Sequence, residues 1–361
     1  MKAMVVDAQN EYSVQEVSLD PPKAGEVKVR MAATGVCRSD WSIITGTIPM
    51  ELPAVIGHEG AGIICELGEG VEHLSVGDRV ILSFVPNCGT CFFCEHEQAY
   101  LCAANHDALG FMLDGTSRLR RGDEELRVMT QLGCMAEECI APSISCIRID
   151  PEIPMNSAAL IGCGVMTGVG AVVNAARVTP GSSVVVFGCG GIGLSAIQGA
   201  RISAAGQIVA VDTLPHKLEM AMKFGATHTC TPEQAQEYVL ELTEGRGADY
   251  CFEAVGKTEL MQLAEQATRP GGVCTIIGLG SLEGQFVLNP LMFPLMAKRV
   301  QGTMYGNCNP KVDFPRMLEL YRTGELDLDG MVTKTYHIDQ AAQAFADLQA
   351  GDNARGVIVY E

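Results

Sequence analysis

The residues best suited to chemistry lie in three distant stretches: Gly35–Val36–Cys37–Arg38–Ser39–Asp40, Gly57–His58–Glu59–Gly60 and Gly162–Cys163–Gly164–Val165–Met166–Thr167. Cys37, His58 and Cys163 offer two thiolates and one imidazole. Three protein ligands with a fourth position left for water or substrate is how catalytic zinc is held, and Cys₂His is one such ligand set. Taken singly, a histidine of this kind is more often structural and a cysteine more often a buried thiol. Only their joint placement points to a metal.

A second group is tighter: Cys88, Cys91 and Cys94 at C-x₂-C-x₂-C spacing, then Cys102. Four thiolates can close on one ion as a tetrahedron with no open position, which makes a structural zinc site. An iron–sulfur cluster uses the same ligand type. The distance to the fourth thiol and the absence of a following proline favour zinc.

A third pattern begins just beyond Cys163. Ser183–Val184–Val185–Val186–Phe187 reads as a buried strand, and Gly188–Cys189–Gly190–Gly191–Ile192–Gly193 follows it directly, leading into an apolar helical stretch, Leu194 to Ile202. Gly-x-Gly-x-x-Gly alone is weak, but here it stands between strand and helix. A second strand, Ile208 to Val211, ends in Asp212 about twenty residues beyond the last glycine. Glycines let the backbone approach a pyrophosphate at a helix amino end, and the carboxylate accepts the adenosine ribose hydroxyls. The same carboxylate repels a 2′-phosphate, so NAD is expected over NADP.

These residues need elements to hold them. Up to about residue 80 the chain reads as short strands between turns (Lys2–Val6, Ser13–Val17, Glu26–Ala32, Gly60–Glu66), a mostly β unit with the candidate ligands on its loops. The stretch 103–134, with Asp114–Gly115–Thr116–Ser117–Arg118 and Arg120–Arg121–Gly122–Asp123–Glu124–Glu125, shows no core pattern and reads as a rim, subunit-contact or solvated loop. Strand and helix patterns alternate from residue 183 to about 278, as in a doubly wound parallel sheet. The tail, ending in Gly356–Val357–Ile358–Val359–Tyr360, is expected to rejoin the first domain. The expected division is 1–164 with 305–361, and 165–304.

Composition bounds the partners. With 361 residues, 47% of them hydrophobic, two cores are expected, and a net charge of −18 argues against nucleic acid or an anionic membrane surface. No apolar run is long enough to span a bilayer and the amino terminus lacks a signal-peptide pattern, so a cytoplasmic protein is expected. The other nine of the fifteen cysteines are expected to be buried small hydrophobes in a reducing compartment.

Taken together, Cys37, Gly57–His58–Glu59, the four-cysteine lobe, Gly162–Cys163–Gly164 and Gly188–Gly193 resemble the zinc-containing alcohol dehydrogenases of the medium-chain dehydrogenase/reductase superfamily, along essentially the whole chain. The resemblance implies an α/β chain: a GroES-like, mostly β catalytic domain and a Rossmann doubly wound cofactor domain. It implies two zinc ions per chain, with Cys37, His58 and Cys163 on the catalytic ion, Glu59 as a neighbouring carboxylate able to approach it, and Cys88, Cys91, Cys94 and Cys102 on the structural one. Ser39 would take the substrate's proton, and Thr167 would pack beside the nicotinamide. Arg38 and Arg355 would contact cofactor phosphates, with Lys217 and Asp212 at the adenosine ribose and Gly188, Gly190, Gly191, Ile192 and Gly193 at the pyrophosphate. The loop after Cys102 is similar to that of the dimeric branch, which implies a homodimer.

Two positions depart from the family pattern. Ser42 stands where many members carry a proton-relaying histidine, which sends the proton out through the cofactor ribose and ordered water instead. Ile48 stands where the glutathione-dependent formaldehyde branch has an acid. With Trp41 and Phe84 it suggests an apolar pocket wall, and therefore a hydrophobic primary alcohol, aromatic or allylic, oxidised reversibly to its aldehyde. A thiol-dependent formaldehyde dehydrogenase is the alternative, since Gly-Cys-Gly-Val-Met resembles bacterial members of that kind. A catalytically silent NAD-binding redox sensor is a third reading, opposed by the open three-ligand set, which a sensor does not need.

Overall fold

The computed structural model describes residues 1–105 and 110–360. The chain divides into two compact units, one comprising Met1–Gly164, Asn309–Arg322 and Leu328–Glu361, the other Val165–Cys308 and Thr323–Asp327. Among the described residues no single helix is long and apolar enough to cross a membrane.

In the first unit a seven-stranded sheet is built on the strand Glu26–Gly35. Its alternating Val27, Val29, Met31 and Ala33 are buried, as the period of a strand requires. Three strands pair with it antiparallel: Gly60–Leu67, Glu138–Pro142 and the carboxyl-terminal Arg355–Val359. The register is what matters for the site. Thr34 faces Gly60, and Gly35 faces Val357. Cys37, His58 and Glu59, and Arg355 therefore leave three neighbouring strands at one end of the sheet, although they are far apart in sequence.

The stretch following Cys102 differs from the loop expected of it. Residues 106–109 lie outside the described residues, but Leu119–Arg121 and Glu124–Val128 form a hairpin inside a six-stranded sheet with Lys2–Ala8 and Ala54–Val55. Leu119, Leu126 and Val128 are buried in its core. Arg118 is buried too, because Glu26 Oε2 accepts its Nε–H at 2.9 Å and Glu26 Oε1 and Asp114 Oδ2 accept from Nη2 at 2.6 and 2.9 Å. Charge in the sequence concealed a core position. Cys65 also departs from expectation: it is exposed on Gly60–Leu67, whereas Cys134, Cys139, Cys146, Cys189, Cys230, Cys251, Cys274 and Cys308 are buried.

The second unit holds a six-stranded parallel sheet in the order His228–Cys230, Gln207–Val211, Ser183–Phe187, Ala248–Glu253, Thr268–Ile276, Arg299–Gly302. This is the doubly wound order, with the first strand of the unit at its centre. The run Val184 to Phe187 is apolar at every position because both faces of a parallel sheet are covered. Helices Gly191–Ile202, Pro215–Lys223, Pro232–Leu242 and Thr258–Ala267 alternate with the strands.

Candidate active site and metal centres

Helix Arg38–Ile44 starts where the central strand of the first unit ends, with Cys37 as its amino cap. Its first turn carries Asp40, fully buried, whose Oδ2 accepts the Cys37 N–H at 3.1 Å. Asp40 Oδ1 lies 2.9 Å from His58 Nδ1 and accepts the Gly57 N–H at 3.2 Å. Gly57 has a φ of +103°, and a Cβ there would collide with the Met135 backbone. Glycine is thus required to deliver His58 inward.

The Sγ atoms of Cys37 and Cys163, a ring nitrogen of His58 and a carboxylate oxygen of Glu59 all lie within 4.8 Å of one another, and all four residues are buried. His58 Nε2 has no hydrogen-bond partner among the described residues although no solvent reaches it. A buried, unsatisfied ring nitrogen among thiols, with the other nitrogen tied to a carboxylate, is how a metal-ligating histidine is arranged. The donors fit zinc.

Electrostatics agree. The hydrogen bond from Cys163 holds the Cys37 thiol well below its usual range, with His58 and Arg355 adding to it, while the same bond and burial push Cys163 well up. Burial would lower the His58 pKa, yet Asp40 and Cys37 outweigh it and raise it. Burial pushes Glu59 up to about 7 against the pull of Arg355. A cluster so rich in anionic donors is one a dication would neutralise.

Glu59 and Arg355 form a buried ion pair, and Glu59 Oε1 also accepts the Gly164 N–H at 3.1 Å. Arg355, expected at a cofactor phosphate, is thus tied to the carboxylate beside the thiols. Ser39 is half-buried and Arg38 exposed on the first turn of the helix after Cys37. Trp41, expected in a pocket wall, packs edge-on to Tyr12 at 6.0 Å and beside Phe345 at 6.1 Å, so an aromatic cluster fixes one of its edges. Phe84 stands edge-on to His58, ring centroids 5.7 Å apart. Ile48 packs against the same core as Trp41.

The four thiols Cys88, Cys91, Cys94 and Cys102 also lie within 4.8 Å of one another. The short helix Phe92–Glu95 and the turn Ala99–Leu101 bring them together. Cys102 Sγ accepts the Cys88 N–H at 3.3 Å and Cys91 Sγ the Ala103 N–H at 3.4 Å, bonds that favour thiolate. Four sulfurs and no other donor suit a closed, structural zinc site.

In the second unit the glycines divide their tasks. A Cβ on Gly188 would collide with Val255, and one on Gly193 with the Gly188 carbonyl, so both serve close packing. A Cβ on Gly190 would meet nothing within 4 Å, which leaves open space at the amino end of helix Gly191–Ile202. That is where a pyrophosphate would approach free backbone N–H groups, so the residues fit a dinucleotide. Asp212 Oδ2 accepts the Cys189 N–H at 2.8 Å and Oδ1 the Leu214 N–H at 3.1 Å, which fixes the carboxylate beside the glycine loop. Lys217 is half-buried on helix Pro215–Lys223. Thr167 is buried on helix Gly164–Gly170, whose Gly168 packs against the Ile192 carbonyl and Ser195.

Asp40 is the residue sequence reasoning passed over, though it lies three positions from Cys37. Its one signal was an acidic residue in the first turn of the helix that follows Cys37.

Comparison with known proteins agrees with this geometry. Residues 23–151 match the alcohol dehydrogenase GroES-like domain and residues 191–323 the zinc-binding dehydrogenase family. Alcohol dehydrogenase B of Mycobacterium tuberculosis (strain ATCC 25618 / H37Rv) is 38% identical over 365 residues, covering 99% of this chain and 97% of that protein. S-(hydroxymethyl)glutathione dehydrogenase of Synechocystis sp. is 38% identical over 366 residues, covering 99% of each. The crystal structure of benzyl alcohol dehydrogenase from Acinetobacter calcoaceticus superimposes with a TM-score of 0.94 at 29% identity, over 100% of this chain and 99% of that one. With two matched domains, relatives of this identity along its full length and two candidate metal sites, the chain belongs to the zinc-binding alcohol dehydrogenases of the medium-chain dehydrogenase/reductase superfamily, which are NAD(P)-dependent oxidoreductases.

Proposed function

We propose that this chain oxidises a hydrophobic primary alcohol, aromatic or allylic, reversibly to its aldehyde with NAD as hydride acceptor. The observation that carries the reading is the buried set of Cys37, His58 and Cys163 around the unpartnered His58 Nε2. Those three residues would hold the catalytic zinc, with Glu59 in reserve, and the four-cysteine lobe would hold the structural one. When bound, the catalytic zinc would supply Lewis-acid polarisation of the substrate oxygen and the nicotinamide would supply the hydride acceptor.

The chain's own residues do the rest. Asp40 holds the His58 ring in the tautomer that frees Nε2. Ser39, on the turn that follows Cys37, takes the substrate's proton. Ser42 offers no imidazole to pass it on, and a bound dinucleotide would supply ribose hydroxyls for that relay. Trp41, Ile48 and Phe84 supply apolar contact area, which favours an aromatic or allylic group over a polyol. Asp212, fixed by two backbone N–H groups, accepts the adenosine ribose hydroxyls and disfavours a 2′-phosphate, while Lys217, Thr167 and Arg38 make the remaining cofactor contacts and Arg355, buried against Glu59, makes none. The domain roles follow, with zinc chemistry in the unit of 1–164, 309–322 and 328–361 and NAD in that of 165–308 and 323–327, so that 305–308 and 323–327, expected with the first domain, fall in the second. A cytoplasmic homodimer completes the proposal, and sedimentation would test the dimer.

A thiol-dependent reading is favoured by the likeness to the Synechocystis enzyme and opposed by Ile48. One experiment separates them: NADH formation with benzyl, cinnamyl and aliphatic alcohols, and with formaldehyde in the presence and absence of glutathione. Turnover of benzyl or cinnamyl alcohol without thiol supports the proposal. Turnover confined to formaldehyde plus thiol would replace it with the alternative.

A further inference from the structure

Glu253 ends the strand Ala248–Glu253 beside Phe187, the last residue of Ser183–Phe187, at the carboxyl edge of the parallel sheet. Ligands of doubly wound sheets bind outside that edge, and the glycine loop begins there with Gly188. Glu253 is fully buried. Its Oε1 accepts three successive backbone N–H groups, from Val255 at 3.0 Å, Gly256 at 2.8 Å and Lys257 at 3.4 Å. Its Oε2, equally buried, has no hydrogen-bond partner among the described residues.

A buried carboxyl with one oxygen unsatisfied is costly, and an ordinary core position would not call for it. The three amides account for it. They fold residues 254–257 into a tight turn, and the Ala254 N–H, bonded to the Phe187 carbonyl at 2.9 Å, ties that turn to the central strand. Val255 is then held directly against Gly188, where a Cβ on the glycine would collide with its Cγ2. Yet Val255 remains 40% exposed. An apolar side chain locked next to the glycine loop and still open to solvent is placed to touch a ligand lying on that loop.

We propose that Glu253 is a positioning residue for the dinucleotide, holding the 254–257 turn so that Val255 forms an apolar wall beside the glycine loop. The inference rests on the cofactor assignment made above. Burial pushes the Glu253 carboxyl pKa up while the backbone N–H groups of Val255, Gly256 and Lys257 pull it down, and the role assigned here needs only the acceptor oxygen that those amides share. Glutamine, which keeps that oxygen, should replace it.

The test is a titration of NADH fluorescence, with KM for NAD, kcat and thermal midpoint, on the wild type and on Glu253→Gln, Glu253→Ala and Val255→Ser. Glu253→Gln is expected within about twofold of the wild type, while Glu253→Ala loses about tenfold in NADH affinity and raises KM for NAD about tenfold, the size of one hydrogen-bonding group. The kcat at saturating NAD should change by less than about threefold, since the turn is assigned to binding rather than to the reacting atoms. Val255→Ser, a partly exposed change, should weaken NADH with its thermal midpoint unchanged, and it carries the test if Glu253→Ala folds poorly. NADH affinity unaltered in Glu253→Ala or in Val255→Ser, or Glu253→Gln as impaired as Glu253→Ala, would overturn the inference while leaving cofactor use intact. A wild-type chain that bound neither NADH nor NADPH would overturn the cofactor reading and this inference together.

Discussion

Asp40 Oδ1 and His58 Nδ1 stand 2.9 Å apart with both side chains buried, so the orientation of the imidazole is set by a residue that is not itself among the clustered donor atoms. Such partners typically account for 10–100-fold in metal affinity. Asp40→Ala is expected to weaken the catalytic zinc by about that factor in competition titrations with a chelator. The zinc of the four-cysteine lobe should be held as before. Equal affinity for both ions in the variant and the wild type would remove Asp40 from the site.

Glu59 and Arg355 depend on each other. Both are buried, at 0% and 5% exposure. Removing one partner strands a charge in the core, so Arg355→Met should cost about 3–5 kcal/mol in urea unfolding. Glu59→Gln combined with Arg355→Met should recover much of that loss, because the stranded charge is then absent. A double variant as unstable as the single one would show that the cost comes from lost packing instead.

Asp212 accepts the Cys189 N–H at 2.8 Å, and the ribose contact proposed for it would be its second duty. Asp212→Gly should therefore raise KM for NAD and lower the NAD-to-NADP preference, whereas Asp212→Asn should relax the preference with a smaller loss in NAD binding. An unchanged cofactor preference in both variants would show that the ribose assignment is wrong.

Asp347 gives a pH signature unrelated to the metal. Hydrogen bonds from Lys334 Nζ at 2.5 Å, Tyr336 Oη at 2.6 Å and Gln343 hold its carboxyl down at about 2. A folded-state pKa below the unfolded value of about 3.9 stabilises the protein above that value, and the contribution is lost as pH falls through the folded pKa. Wild type should be more stable than Asp347→Asn at pH 6, with the gap closing between about pH 4 and pH 2. A gap independent of pH over that range would exclude the charged contact as its source.

The sequence made the four-cysteine lobe and the glycine loop legible because each rests on local spacing. Cys88, Cys91 and Cys94 announce a common ion, and Gly188 to Gly193 lie directly between a strand and a helix. What stayed hidden depends on strand register. Arg355 meets Glu59 across 296 residues only because Gly35 faces Val357 and Thr34 faces Gly60. Arg118 read as part of a charged loop, since nothing near it in sequence indicates that Glu26 arrives from 92 residues away to neutralise it. Glu253 gave no signal either: its three amide partners are adjacent in sequence, but its burial comes from the sheet around it.

Zinc content per chain, measured by atomic emission on wild type and Cys163→Ser with NADH formation from benzyl alcohol followed on the same samples, tests the central claim most directly. Two zinc ions and turnover in the wild type, against one zinc and no turnover in the variant with NADH binding retained, is the predicted result. A variant that kept both ions and oxidised the alcohol would contradict it.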